Sequence, residues 1–115
     1  MNKIKFSHNW NLKLNNNIFT TIRKSNPEKS QYYYEAMSCD FEVILSRGNK
    51  DIRPDKSFGI ARLIEVEKRK FKDIPLSLLH LDTGILNIYE IEDLFKKFGI
   101  QREDEVLIFT FMRLK

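Results

Sequence analysis

The sequence predicts an α+β fold, a single domain over residues 1–115 built as a small β-barrel or a strongly curved mixed sheet with two or three flanking helices. Three observations carry this. Strand patterns stand at both ends and in the middle of the chain, whereas the clear helix patterns group between the long middle strand and the last one. There is no regular βαβ alternation, and the four glycines, none closely spaced, offer neither a dinucleotide fingerprint nor a phosphate-binding loop. With 115 residues, 42% hydrophobic and 12% aromatic, the chain can bury one core and not two.

Taken in order, residues 3–7 read as a short strand with Ile4 and Phe6 on one face. Residues 9–17 are Asn-rich, with Trp10, Leu12 and Leu14 alternating with polar residues, and suit either an extended segment or one helical turn. Residues 19–23 form a strand that ends at the turn signal Ser25-Asn26-Pro27. The aromatic stretch 31–34 suits a strand or a loop packed on the core, and 41–45 alternates as a strand. Residues 47–57 hold Gly48, Asn49, Asp51, Pro54 and Asp55 and read as a basic loop. Residues 58–67 make the longest strand; its apolar phase slips between Arg62 and Ile64, which points to a bulge or bend. Pro75 starts a short helix over 75–80. The strongest element is a helix capped by Asn87, with Ile88, Ile91, Leu94, Phe95 and Phe98 on one face and Gly99 as its stop. Residues 106–114 are apolar on both faces, as in a strand inside a sheet.

Composition narrows the function classes. No apolar run approaches the roughly 20 residues of a membrane span and the first residues lack a secretory pattern, so a cytoplasmic protein without membrane contact is expected, monomeric or weakly dimeric. Cys39 is the only cysteine, which excludes an internal disulfide and a cysteine-based zinc site; it is expected to be buried or inert. No metal or cofactor pattern is present. The net charge is +4, unevenly spread: residues 1–34 carry six bases against one acid and residues 47–72 nine against four, while 73–115 carry five against eight. A fold that joins the two basic blocks would present a positive face to a polyanion, with the acidic last third elsewhere.

The segment Phe19-Thr20-Thr21-Ile22-Arg23 is the one whose composition points to a site. Strand alternation puts Phe19, Thr21 and Arg23 on one face and Ile18, Thr20 and Ile22 on the other. A hydroxyl beside a fixed cation can seat a phosphate, a carboxylate or a polarised carbonyl. The same residues also suit a plain strand, with Thr favouring β structure and Arg reaching solvent. Thr20, Thr21, Arg23 and Lys24 are therefore the candidate ligand contacts.

Element order and this segment together resemble the ASCH family, a branch of the PUA-like superfamily of small β-barrels with flanking helices, over nearly the whole chain. Its Gly-x-Lys-x-x-x-x-Arg motif, commonly ending Thr-x-Arg, corresponds to Asn16-Asn17-Ile18-Phe19-Thr20-Thr21-Ile22-Arg23. Thr21 and Arg23 match, while Asn16 replaces the Gly and Ile18 the Lys; the family's Gly-Asp turn appears as Cys39-Asp40. The resemblance implies recognition of RNA or of modified bases. It also implies, for one bacterial branch, an amidohydrolase of acylated cytidine that uses a Lys, a Thr and a Glu. Carried over by position, the Thr is Thr21, the Lys falls on Ile18, and the acid falls near 82–84, where Asp82 is the only carboxylate. Ile18 cannot take a proton from a hydroxyl, so Lys13 or Lys24 would have to reach the cleft from outside the motif.

Two functions follow. The leading one is binding of RNA or a nucleotide, with Arg23 and Thr21 in a cleft and Lys13, Lys24, Arg47, Lys50, Arg53 and Lys56 on the backbone. Trp10 and the tyrosines 32–34 are then candidates for stacking on unpaired bases, and one tyrosine at least must face outward. The alternative is a hydrolase acting on a modified nucleoside or on RNA, with Thr21 and Asp82 catalytic and His8 or His80 as possible bases. What lies within hydrogen-bond reach of Thr21 decides between them: a Lys or His favours catalysis, Arg23 alone favours binding. Protein docking through the 87–98 helix or a sheet edge has no positive sequence signal.

Overall fold

A computed structural model describes residues 2–46 and 55–115. Strands β1 (Asn2–Phe6), β2 (Ile18–Lys24), β3 (Asp40–Leu45), β4 (Lys56–Lys70) and β5 (Glu105–Arg113) form one sheet in the order β1-β3-β4-β5-β2. β1 runs parallel to β3 and every other neighbour pair is antiparallel, so the sheet is mixed as expected. Helices α1 (Pro27–Glu35), α2 (Leu76–Thr83) and α3 (Ile88–Lys96) flank it, with 3-10 segments at Trp10–Asn15 and Phe71–Asp73.

Two irregularities bend β4. Its register against β5 shifts between Leu63 and Glu65, which leaves Ile64 unopposed where the apolar phase slips in the sequence. Against β3, Glu42 faces Ile60 but Ile44 faces Ser57, so β4 carries an extra residue there. Gly59 lies in that stretch with φ of 92°, a backbone state that L side chains adopt only with strain. The bending has a visible result. In a flat five-stranded sheet the edges β1 and β2 would stand about 19 Å apart, four spacings of about 4.8 Å. Yet Arg23 of β2 donates from Nη2 to the Lys5 carbonyl of β1 at 2.7 Å. The sheet curls until its edges nearly meet, and no backbone pairing closes it into a barrel among the described residues.

Alternation along the strands feeds two cores. Phe19, Phe41, Leu63, Leu107, Phe109 and Phe111 pack on the concave side with Ile4 and Leu14, and Tyr33 of α1 covers them at 4.3 Å between its ring centre and that of Phe109. Ile22, Val106 and Ile108 face the other way, onto Leu79 of α2 and Ile91 and Phe95 of α3. β5 is thus apolar on both faces because each face has its own core.

Several elements differ from the sequence reading. Residues 31–34 lie in a helix, not a strand or loop. Asn26 caps α1 by accepting from the Lys29 N–H at 2.9 Å, and Pro27 takes its first turn, so the signal that ends β2 also starts a helix. Tyr32 and Tyr34 are exposed on α1 and Tyr33 points inward, as helical spacing requires. The 75–80 helix starts one residue later and runs to Thr83, where left-handed Gly84 ends it, and so takes in Asp82. Lys56 and Ser57 belong to β4 and not to the loop before it. Cys39 is exposed rather than buried, since it precedes the first core residue of β3. The acidic last third does not lie apart from the second basic block. Antiparallel pairing of β4 with β5 brings Lys68 to Glu105, and Lys70 and Lys72 to Glu103.

Candidate functional site

The near-meeting of β1 and β2 leaves a cleft of about 240 Å³. One wall is β1 and the residues after it, Lys5, Phe6, Ser7 and His8; the other is Thr21 to Lys24 of β2. Trp10 and Lys13 enter from the first 3-10 segment, and Phe95, Phe98 and Ile100 from α3 and the turn after it. The lining therefore combines four cations with aromatic rings and contains no carboxylate.

Arg23 occupies the gap between the edges. Besides the Lys5 carbonyl it reaches Thr21, whose hydroxyl accepts from Nε at 3.4 Å, and its guanidinium lies over the Phe6 ring, 5.0 Å from the centre. Thr21 and Arg23 do project together, as strand alternation requires. Partial burial pulls the Arg23 pKa down from its usual value. No carboxylate stands within ion-pair distance of Arg23 among the described residues, although nearby Asp82 acts on it at longer range.

Behind the cleft lies a buried ion pair. Lys13 Nζ donates to Asp82 Oδ1 at 2.8 Å, and Thr20, on the far face of β2, donates to the same oxygen at 3.1 Å. Asp82 is 1% exposed, and its Oδ2 has no hydrogen-bond partner. Burial pushes the Asp82 carboxyl up and the Lys13 ammonium down, and their mutual attraction opposes both shifts in part. The Lys13 ammonium also sits 5.6 Å from the Phe6 and Trp10 ring centres, so aromatic faces share in its solvation.

The segment that carries Lys13 is itself strained. Asn11 and Leu12 both adopt positive φ, 55° and 51°. Side chains hold it in place: Asn9 accepts from the Leu14 N–H at 2.9 Å, Asn11 donates to the Leu81 carbonyl at 3.1 Å, and Arg113 of β5 donates to the carbonyls of Leu14 and Asn16. The Asn-rich run is thus an adapter, with side chains replacing the hydrogen bonds that a regular element would supply.

The candidate residues divide. Thr21, Arg23, Lys24, Trp10 and Lys13 meet at the cleft. Asp82 accepts hydrogen bonds from both Thr20 and Lys13, and neither Thr20 nor Asp82 is among the residues that line the cleft, whereas Thr21 is. Lys13 is not a surface contact for a nucleic-acid backbone, because its ammonium is buried against Asp82. Lys24 stands at the mouth, donating to the Gly99 carbonyl at 3.0 Å with Asp104 at 3.7 Å. Lys56 lies outside the cleft lining, with its ammonium over the Phe58 ring at 4.9 Å. Arg47, Lys50 and Arg53 lie outside the described residues. His80 does not work with Asp82; its Nδ1 faces the Ile85 carbonyl at 3.2 Å.

His8 stacks on Trp10 with the ring planes 9° apart, and Phe98 meets Trp10 edge-on at 5.4 Å. Lys5 and Phe98 were not legible as site residues. Phe98 reads as core on the helical wheel, but α3 ends at Lys96, which leaves Phe98 46% exposed beside Trp10. The second sheet edge that makes Lys5 a lining residue leaves no local sequence signal. No family model matches this chain, and neither the curated proteins nor the solved structures give a match.

Proposed function

We propose that this chain is a binding domain for RNA or a nucleotide, of the PUA-like, ASCH-type kind that its element order and Thr-x-Arg segment resemble, with the ligand seated between β1 and β2. The observation that carries this reading is the partner of Thr21: its hydroxyl accepts from Arg23 at 3.4 Å, and among the described residues no lysine or histidine is in hydrogen-bond contact with it. A threonine without an adjacent proton acceptor is a poor nucleophile, whereas a hydroxyl and a guanidinium side by side are good ligands for a phosphate or a base edge. The lining supports the same reading, since cations attract the phosphate and Trp10, His8 and Phe98 add aromatic surface beside them. Asp82 serves to hold Lys13 in place. For the hydrolase alternative, the described residues supply no base in contact with Thr21 and no carboxylate in the cleft lining.

The test is titration of a fluorescently labelled single-stranded RNA at two salt concentrations, comparing the wild type with Arg23→Ala. Binding should weaken with salt and fall at least about tenfold in the variant, as expected for loss of a charge-assisted contact, while circular dichroism shows both proteins folded. No binding by the wild type at low salt, either of the RNA or of a nucleoside monophosphate, would overturn the reading.

A further inference from the structure

Resting on that reading, we propose that the cleft takes a phosphomonoester, a single nucleotide or the phosphorylated end of a strand, rather than the interior of an RNA chain. The charge count at the site leads there. Of its four lining cations, Lys13 has Asp82 as partner and Lys24 has Asp104, while Lys5 and Arg23 have no carboxylate partner among the described residues. Four cations against the two carboxylates leave a net of two positive charges at the cleft among the described residues, which matches the roughly −2 charge of a phosphomonoester near neutral pH, whereas an internal phosphodiester carries one negative charge.

Size and surroundings point the same way. At about 240 Å³ the cleft is smaller than the roughly 300–1,000 Å³ of drug-sized ligand sites, so it has no room for a run of nucleotides. A bound strand also needs a basic track beyond the cleft. The β4 stretch does not offer one with free charges, since from Arg62 to Lys72 each base already pairs with a carboxylate, on Asp40, Glu67, Glu103 or Glu105. The aromatic group of Trp10, His8 and Phe98 lines the same cleft as the Lys5 and Arg23 residues and gives the base apolar surface to pack on.

Trp10 is the only tryptophan, so its fluorescence reports on the site directly. Quenching would be titrated with adenosine, the four ribonucleoside 5′-monophosphates, inorganic phosphate, and a short RNA bearing hydroxyl, 5′-phosphate or 3′-phosphate ends. At least one monophosphate or phosphorylated end should bind about 10- to 100-fold more tightly than its unphosphorylated counterpart, the range of charge-assisted hydrogen bonds. It should also outcompete inorganic phosphate, and Lys5→Gln should remove most of the preference. Tighter binding by the free nucleotide or by the strand end identifies which source the cleft serves. Equal binding of phosphorylated and unphosphorylated RNA overturns the phosphomonoester proposal and leaves the RNA reading standing. Binding of none of these probes overturns both. Inorganic phosphate binding as tightly as every nucleotide removes the base from the proposal and overturns it as stated.

Discussion

Replacing Lys13 by Met leaves the Asp82 carboxylate buried with Thr20 as its one remaining hydrogen-bond partner among the described residues, one of its oxygens being unpartnered there already. Removing one member of a buried ion pair costs about 3–5 kcal/mol, a large part of the roughly 5–15 kcal/mol that holds a domain folded. With a urea slope of about 1.5 kcal/mol/M, the unfolding midpoint should fall by about 2–3 M at pH 8. The loss should shrink on acidification. Burial already raises the Asp82 pKa in the wild type, and removing the lysine takes away the attraction that opposes this rise. A carboxyl whose folded pKa exceeds its unfolded one binds more protons folded than unfolded across that window, so stability increases as pH falls through the folded pKa. Lys13→Met should therefore recover much of its loss by pH 5. Combining it with Asp82→Leu should restore stability at pH 8, because paired apolar replacements remove both desolvation costs. Urea denaturation of the two single variants and the double variant at pH 5 and pH 8 measures all of this. A cost under about 1 kcal/mol at pH 8, a cost independent of pH, or a double variant that equals the sum of its parts would refute the reasoning.

Gly59→Ala would set a Cβ against the Lys115 carbonyl at positive φ, so a loss of about 1–3 kcal/mol is expected by thermal or urea unfolding. Asn26→Ala and Asn87→Ala each remove a side-chain cap and should cost about 1 kcal/mol each, read as a lower melting temperature. Phe95 and Phe98 should separate stability from binding. Phe95→Ala empties a fully buried position at a cost of about 3–5 kcal/mol. Phe98→Ala should unfold within about 1 kcal/mol of the wild type, as half-exposed positions do, while altering Trp10 fluorescence and weakening nucleotide binding.

Periodicity and caps made the architecture legible element by element. The alternation of Phe41 to Leu45, the run from Val106, the Asn87 cap and the phase slip at Ile64 all rest on interactions within a few residues of chain, and all four stand in the structure. Local chemistry misled where one residue serves two purposes. Asn26-Pro27 stops β2 and also starts α1, and an aromatic run such as Gln31 to Tyr34 looks β-like until the preceding cap is given its weight.

By itself the sequence determined the α+β class, the two-faced last strand and the projection of Thr21 with Arg23, because the backbone's own 2.0 and 3.6 periods dictate these. Only the tertiary structure decided which charges meet. Lys13 and Asp82 stand 69 residues apart and pair because the 3-10 segment and α2 pack together. Arg23 becomes a cleft residue because two bends in β4 bring the sheet edges within reach of one side chain. Basic and acidic blocks that look separate along the chain cancel across the β4–β5 ladder. Charge pairing depends on distances of a few ångströms between segments remote in sequence, and those distances are set by how the segments pack, which the local residue pattern does not record.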